Sequence, residues 1–301
     1  MTRRRCAIAG VLLAVFVTVS ATGCASSGSA APDDGRIRIV ASTDVYGSIA
    51  ESIGGDRVNV TSIIDAPGMD PHSYEADARV QLALARADLV IENGGGYDDF
   101  MATLLDGARN PDATVINVTD LSGYGRDKAF NEHLWYDFPT MVTLVDELVA
   151  ALSERDAASS DAYRSAGDDL VNSLDGLMER ESALKSAHEG KGVAITEPVP
   201  LYLLEASGLV DRTPPAFSEA IEEGTDVAPA VLRETLDLFD GRAVSLLAYN
   251  DQTTGPETEK VKAAAADAGI PVVGVAETLP EGVGYVDWMT SILVAVETAL
   301  S

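Results

Sequence analysis

The sequence predicts an α/β protein: two α/β lobes with parallel sheets, bridged by one long helix, with a binding site in the cleft between the lobes. Three observations carry this. Short Val/Ile-rich segments alternate with helical patterns over residues 36–118. The same alternation returns after residue 190. Between the two runs lies a stretch with unbroken helical periodicity. Short β-branched strands separated by helices imply parallel sheets covered on both faces.

Taken in order, the chain begins with Arg3, Arg4 and Arg5, followed by an uncharged, mostly apolar run over 6–22. That run is too short for a comfortable membrane span and suits a signal-peptide core. It ends in Ala21-Thr22-Gly23-Cys24, and small residues before a cysteine resemble the bacterial lipobox, in which the thiol is acylated after cleavage. Residues 25–35 are small, polar and breaker-rich, as in a flexible tether. The expected division is a signal peptide at 1–23, a tether at 24–35, an N-terminal lobe at 36–158, a bridging helix at 159–190 and a C-terminal lobe at 191–301.

In the first lobe, strands are expected at Arg36–Ser42, Val58–Ile64, Ala87–Glu92 and Thr114–Val118, with helices at Val45–Ile53, Asp77–Ala87 and Tyr97–Leu105 and another beginning near Pro139. Tyr163, Leu170, Leu174, Leu177, Glu181 and Leu184 then recur at three-, four- and seven-residue steps. Ser159 or Ser160 can cap this helix and Gly190 can stop it. A helix over 161–188 would be roughly 42 Å long. The second lobe reads as strands at Gly192–Thr196, Ala243–Tyr249 and Pro271–Val275, with helices at Pro200–Ser207, Ala228–Phe239, Glu257–Ala268 and Val286–Leu300.

Composition narrows the function. The only cysteines are Cys6 and Cys24, so the mature body has none for an internal disulfide. Loss of Arg3, Arg4 and Arg5 takes the formal charge from −27 to −30. Such a field disfavours nucleic acid and attracts cations.

Histidine is scarce, which makes each of the three informative. His72 lies in Asp70-Pro71-His72-Ser73-Tyr74-Glu75, on the loop leaving the carboxyl end of a strand, the edge where open parallel sheets bind ligands. His133 lies in Asn131-Glu132-His133-Leu134-Trp135-Tyr136-Asp137, just ahead of a helix. His188 sits at a helix C-terminus, where an imidazole complements the helix dipole. In the second lobe, Glu197 and Glu277 follow the ends of strands. Two neutral imidazoles and two carboxylates make a ligand set that a divalent cation neutralises.

These segments resemble the metal-binding solute-binding proteins of ABC importers, the zinc- and manganese-receptor group that includes the streptococcal adhesins. The resemblance covers residues 36–301. Asp70–Glu75 matches the family's first ligand motif, and Asn131–Asp137 resembles the second, Asn-Pro-His-x-Trp-Leu-Asp-Pro, with Glu132 and Phe138 in place of its prolines. Thr196-Glu197-Pro198 stands where the family places a His or Glu ligand, and Ala276-Glu277-Thr278-Leu279 where it usually places Asp. The resemblance implies a metal set of His72, His133, Glu197 and Glu277 holding Zn2+ or Mn2+. It further implies an extracytoplasmic monomer, anchored to the cell membrane through Cys24 and delivering its ion to an ABC transporter permease. The His-rich loop of many zinc members has no counterpart at 118–130.

Other classes fit less well. A secreted metal-dependent hydrolase could use His72, His133 and Glu197 with a water, yet no His-Glu-x-x-His helix occurs. A surface interaction protein with a purely structural site is another alternative. A receptor for an organic solute would call for an aromatic-rich cleft, whereas aromatics are 6% of the chain.

Overall fold

The computed structural model describes residues 35–66, 69, 74, 78–125 and 130–301. Cys24, the signal segment and His72 lie outside the described residues. Residues 35–301 form one compact unit.

Its first half contains β1 (Ile37–Thr43), α1 (Asp44–Gly54), β2 (Val58–Ile64), α2 (Ala78–Leu84), β3 (Leu89–Glu92), α3 (Phe100–Ala108), β4 (Thr114–Asn117), α4 (Val118–Ser122) and α5 (Phe138–Arg155). The strands are all parallel in the order β2-β1-β3-β4, with Ile39 opposite both Val60 and Leu89. After α6 (Ser160–His188) come β5 (Gly192–Ile195), α7 (Leu201–Ala206), β6 (Val210–Asp211), α8 (Pro215–Glu222), α9 (Pro229–Asp240), β7 (Leu247–Asn250), α10 (Pro256–Ala268), β8 (Val272–Val275) and α11 (Tyr285–Leu300). These strands are again parallel, in the order β6-β5-β7-β8. The two sheets therefore share one winding, with the first strand between the second and third. β5 and β7 are buried at every position, as strands covered on both faces must be.

The helix α6 runs uninterrupted for 29 residues. Its buried stripe is Tyr163, Leu170, Leu174, Leu177 and Leu184, interrupted by the acid Glu181. Gly167 does not break it. A Cβ there would come within 2.5 Å of the Val149 side chain, so the glycine lets α5 and α6 approach closely. α6 packs on α1 and α5 of the first lobe and on α7 and α11 of the second. One apolar core, from Ile39 through Leu174 to Leu293, runs through all three parts.

The boundaries shift where local signals compete. β7 starts at Leu247, not Ala243, because Arg242 adopts a left-handed conformation (φ 50°) and turns the chain off α9. The helix expected from Tyr97 starts at Phe100, because Gly94, Gly95 and Gly96 hold positive φ in the turn that carries Tyr97. β6 has no clear signature in the sequence, since two residues cannot show a strand period, and α8, which opens on Pro215, follows it as a helix outside the expected set. Among the described residues, no helix is long and apolar enough to cross a membrane.

The lobes also meet directly. The Leu279 N–H donates to both Asp44 carboxylate oxygens (3.2 and 3.3 Å), the Tyr285 N–H to Ser48 Oγ (3.2 Å), and Tyr136 Oη to the Ala276 carbonyl (3.0 Å).

Candidate metal site

In both sheets the carboxyl ends of the central strands face the region between the lobes, the position where doubly wound sheets bind ligands. His133 reaches it from the first lobe. The ring opens a 3-10 turn (Leu134–Tyr136) whose three side chains are fully buried, so its backbone is pinned by aromatic packing. Trp135 and Tyr97 both stand edge-on or tilted against their neighbours here, and each contacts the His133 ring. The imidazole is 1% exposed.

Asn131 sets the tautomer. Its Nδ2 donates to the Pro198 carbonyl of the second lobe (3.0 Å), which turns Oδ1 toward His133. That oxygen lies 2.7 Å from His133 Nδ1, so the hydrogen-bond network assigns the proton to Nδ1 and leaves the Nε2 lone pair directed into the cleft. What Nε2 faces is carboxylate: Glu222 Oε1 at 3.6 Å and Glu277 Oε2 at 4.0 Å, both from the second lobe.

The second lobe brings Glu197 from the residue pair after β5 and Glu277 from the residue pair after β8. Asn250 at the end of β7 joins them, its Nδ2 donating to Glu197 Oε2 and to Glu277 Oε1 (3.0 Å). Glu197 is 3% exposed and Asn250 fully buried. The backbone N–H of Asn250 is itself held by Thr196 Oγ1 (2.9 Å), which fixes β7 against β5. The Glu277 N–H donates to Gln252 Oε1 (2.6 Å).

The structure thus brings together His133, Glu197 and Glu277, three of the four residues expected as ligands. The fourth, His72, lies outside the described residues. It adds Glu222, at the end of α8, and Glu132: one donor atom each from Glu132, His133 and Glu222 lies within 4.8 Å of the others. Nothing in the linear sequence singles out Glu222 among 48 acidic residues, because α8 carries no motif and its approach to the cleft depends on how β6 joins the sheet. Glu132 was visible as the residue replacing a motif proline.

These acids line a cavity of 1180 Å³ with Asn131, Pro198 and Thr253. Burial, and then crowding by Glu132, Glu197 and Glu277, pushes the Glu222 carboxyl up to about 8. Burial and the Glu277 carboxylate raise the Tyr97 phenol well above its ordinary value. The cleft is therefore short of positive charge, and a divalent cation among these oxygens and the imidazole would relieve it.

The comparisons with known proteins bear on the family and the fold. The family model for the zinc-uptake complex component A, periplasmic, matches residues 39–299. The manganese-binding lipoprotein MntA of Bacillus subtilis is 31% identical over 185 residues, 60% of each chain, so the match spans less than two thirds of that relative. MntA of Halalkalibacterium halodurans is 25% identical over 287 residues, 91% of this chain and 92% of its own. Among solved structures, the fold is similar to SBP FpvC of P. aeruginosa in complex with a Ni2+ ion, with TM-score 0.72 and 22% identity over 88% of this chain and 97% of that one. With a family model matched across nearly all of the two-lobed body, the chain belongs to the family of the periplasmic component A of zinc-uptake complexes.

Proposed function

We propose that this protein captures a divalent transition-metal ion, Zn2+ or Mn2+, outside the cytoplasm and delivers it to the permease of an ABC-type importer. The ion is cargo, held by His72, His133, Glu197 and Glu277. The body works as a monomer tethered to the cell membrane by a lipid on Cys24, with lobes at 36–158 and 191–301 joined by a helix within 159–190.

One observation supports this above the rest. The lone pair of His133 Nε2 faces carboxylate oxygens of the other lobe at 3.6 and 4.0 Å, too far for hydrogen bonds. Two ligand atoms, each about 2.1 Å from a shared ion, stand roughly 3–4 Å apart. The spacing is that of donors on one cation. Donors from both lobes would make the ion a clasp between them, which suits capture and release. A hydrolase would instead keep a coordination position open for water. The two relatives bear the names of manganese-binding lipoproteins, and the family model that of zinc uptake.

Calorimetric titration of the metal-stripped body with Mn2+ and with Zn2+ tests the assignment. The parent should bind one equivalent of each, and His133→Ala and His72→Ala should each lose high-affinity binding while keeping the parent's far-UV spectrum. Parent-like affinity in His133→Ala would refute it.

A further inference from the structure

We propose that Glu222 is a further ligand of the cargo ion, and that with it the site favours an oxygen-preferring divalent cation of five or six coordination, of the Mn2+ or Fe2+ class, over tetrahedral Zn2+. The inference rests on the metal-capture reading and deepens it.

The geometry carries the assignment. Of the carboxylate oxygens facing His133 Nε2, Glu222 Oε1 is the nearer, at 3.6 Å against 4.0 Å for Glu277 Oε2. Glu222 Oε1 is enclosed, yet it has no hydrogen-bond donor among the described residues. A buried carboxylate oxygen without a donor is costly unless something positive completes it. Here the nearest nitrogen is an imidazole whose proton sits on its far side, held by Asn131 Oδ1. The imidazole nitrogen lies 3.6 Å from the Glu222 oxygen, and a cation bound between them would complete that enclosed oxygen.

The fold explains why Glu222 arrives there. Thr213 Oγ1 receives the Ile195 N–H (2.9 Å), tying the segment after β6 to the end of β5, and α8 follows at once from Pro215. Its last residue is Glu222. Phe217 on the same helix is fully buried in the second-lobe core, so α8 is anchored and its C-terminal end is not a mobile loop.

The chemistry sets the metal. Structural zinc sites are closed by four ligands, so a fifth side chain is surplus to a tetrahedron. Three carboxylates beside imidazole match the harder, higher-coordinate ions. A carboxylate that binds through both oxygens can bring the number to six.

Glu222→Ala and Glu222→Gln in the full mature chain, stripped of metal and titrated with Mn2+ and Zn2+, test this. In Glu222→Ala the Mn2+ affinity should fall by about 100-fold and the Zn2+ affinity by roughly 5-fold or less, with Glu222→Gln between, since its amide oxygen still donates. Co2+ serves as a geometric probe: its visible absorption should be weak in the parent and intensify in Glu222→Ala as the coordination number drops toward four. Equal losses for both metals, or unchanged Mn2+ affinity with an unchanged Co2+ spectrum, would overturn the proposal. If His133→Ala abolishes binding while Glu222→Ala behaves as the parent, this inference alone fails. If the parent binds neither metal, the capture reading fails with it.

Discussion

Each lobe ends the third strand of its winding on a buried asparagine, and the two asparagines do different work. Asn93 follows β3 and stabilises backbone. It accepts from Tyr46 Oη, and its Nδ2 donates to the carbonyls of Gly94 (2.8 Å) and of Glu132 (3.0 Å), the residue before His133. Asp98 clamps the same turn through the N–H groups of Asn93 and Gly94, both at 2.7 Å. Asn250 closes β7 and spends its amide on the side chains of Glu197 and Glu277. The difference follows from the ligands. A neutral imidazole needs only a rigid mount and a fixed tautomer, so the first lobe supplies packing. Two carboxylates in one buried site repel each other, so the second lobe supplies a shared donor.

The sharpest test of that contrast replaces each asparagine by leucine. Asn93→Leu leaves Tyr46 Oη and the Glu132 carbonyl without their partner, and should destabilise the metal-free protein by about 3 kcal/mol. Its metal affinity, measured on the folded fraction, should fall by less than roughly 10-fold. Asn250→Leu should reverse the pattern, with metal affinity down by up to about 100-fold and a smaller loss in urea unfolding. Matching profiles for the two variants would break the comparison.

Next in size comes the acid beneath the first-lobe mount. Glu181 is the one polar member of the α6 stripe, and its carboxyl is pushed up to about 8, first by burial and then by Asp137. A raised carboxyl stabilises the fold fully below its unfolded value near 4.5, and that stability is lost as pH rises through about 8. Between pH 5 and 8.5 the metal-free parent should therefore lose on the order of 2 kcal/mol more than Glu181→Gln. Parallel curves in urea unfolding would show that Glu181 is already satisfied.

Smaller effects sharpen the role of the mount. Asn131→Ala frees the His133 tautomer and cuts one link to the second lobe at Pro198, and should weaken Mn2+ binding by about 10-fold with little change in melting temperature. Tyr124 stacks on Tyr202 across the lobes and donates to Asp137 Oδ1 at 3.2 Å. Tyr124→Phe keeps the stack and should cost about 0.5 kcal/mol, with metal affinity unchanged.

The residues of the mount show why some of this was legible and some not. His133 stands out because imidazole is rare in the chain and sits in a motif, and Glu197 and Glu277 because each falls just beyond a recognisable strand. Asn93 and Asn250 stand at the ends of β3 and β7, but an asparagine at a strand end is ordinary turn chemistry in a linear reading. Glu222 is hidden further, in a helix introduced by a two-residue strand.

By itself the sequence determined the alternation of strands and helices, the long α6 with its apolar stripe and the two-lobed plan, because hydrophobic periodicity is local and each period admits one secondary structure. It also determined which rare side chains stand at the strand ends. Only the tertiary structure decided which acids share a site. Glu197, Glu222 and Glu277 lie far apart along the chain: the winding of a parallel sheet brings the carboxyl ends of β5 and β8, and with them Glu197 and Glu277, to one edge, and α8 brings Glu222 there from its C-terminal end. The tautomer of His133 was likewise decided in three dimensions, by an asparagine whose orientation depends on a carbonyl of the other lobe.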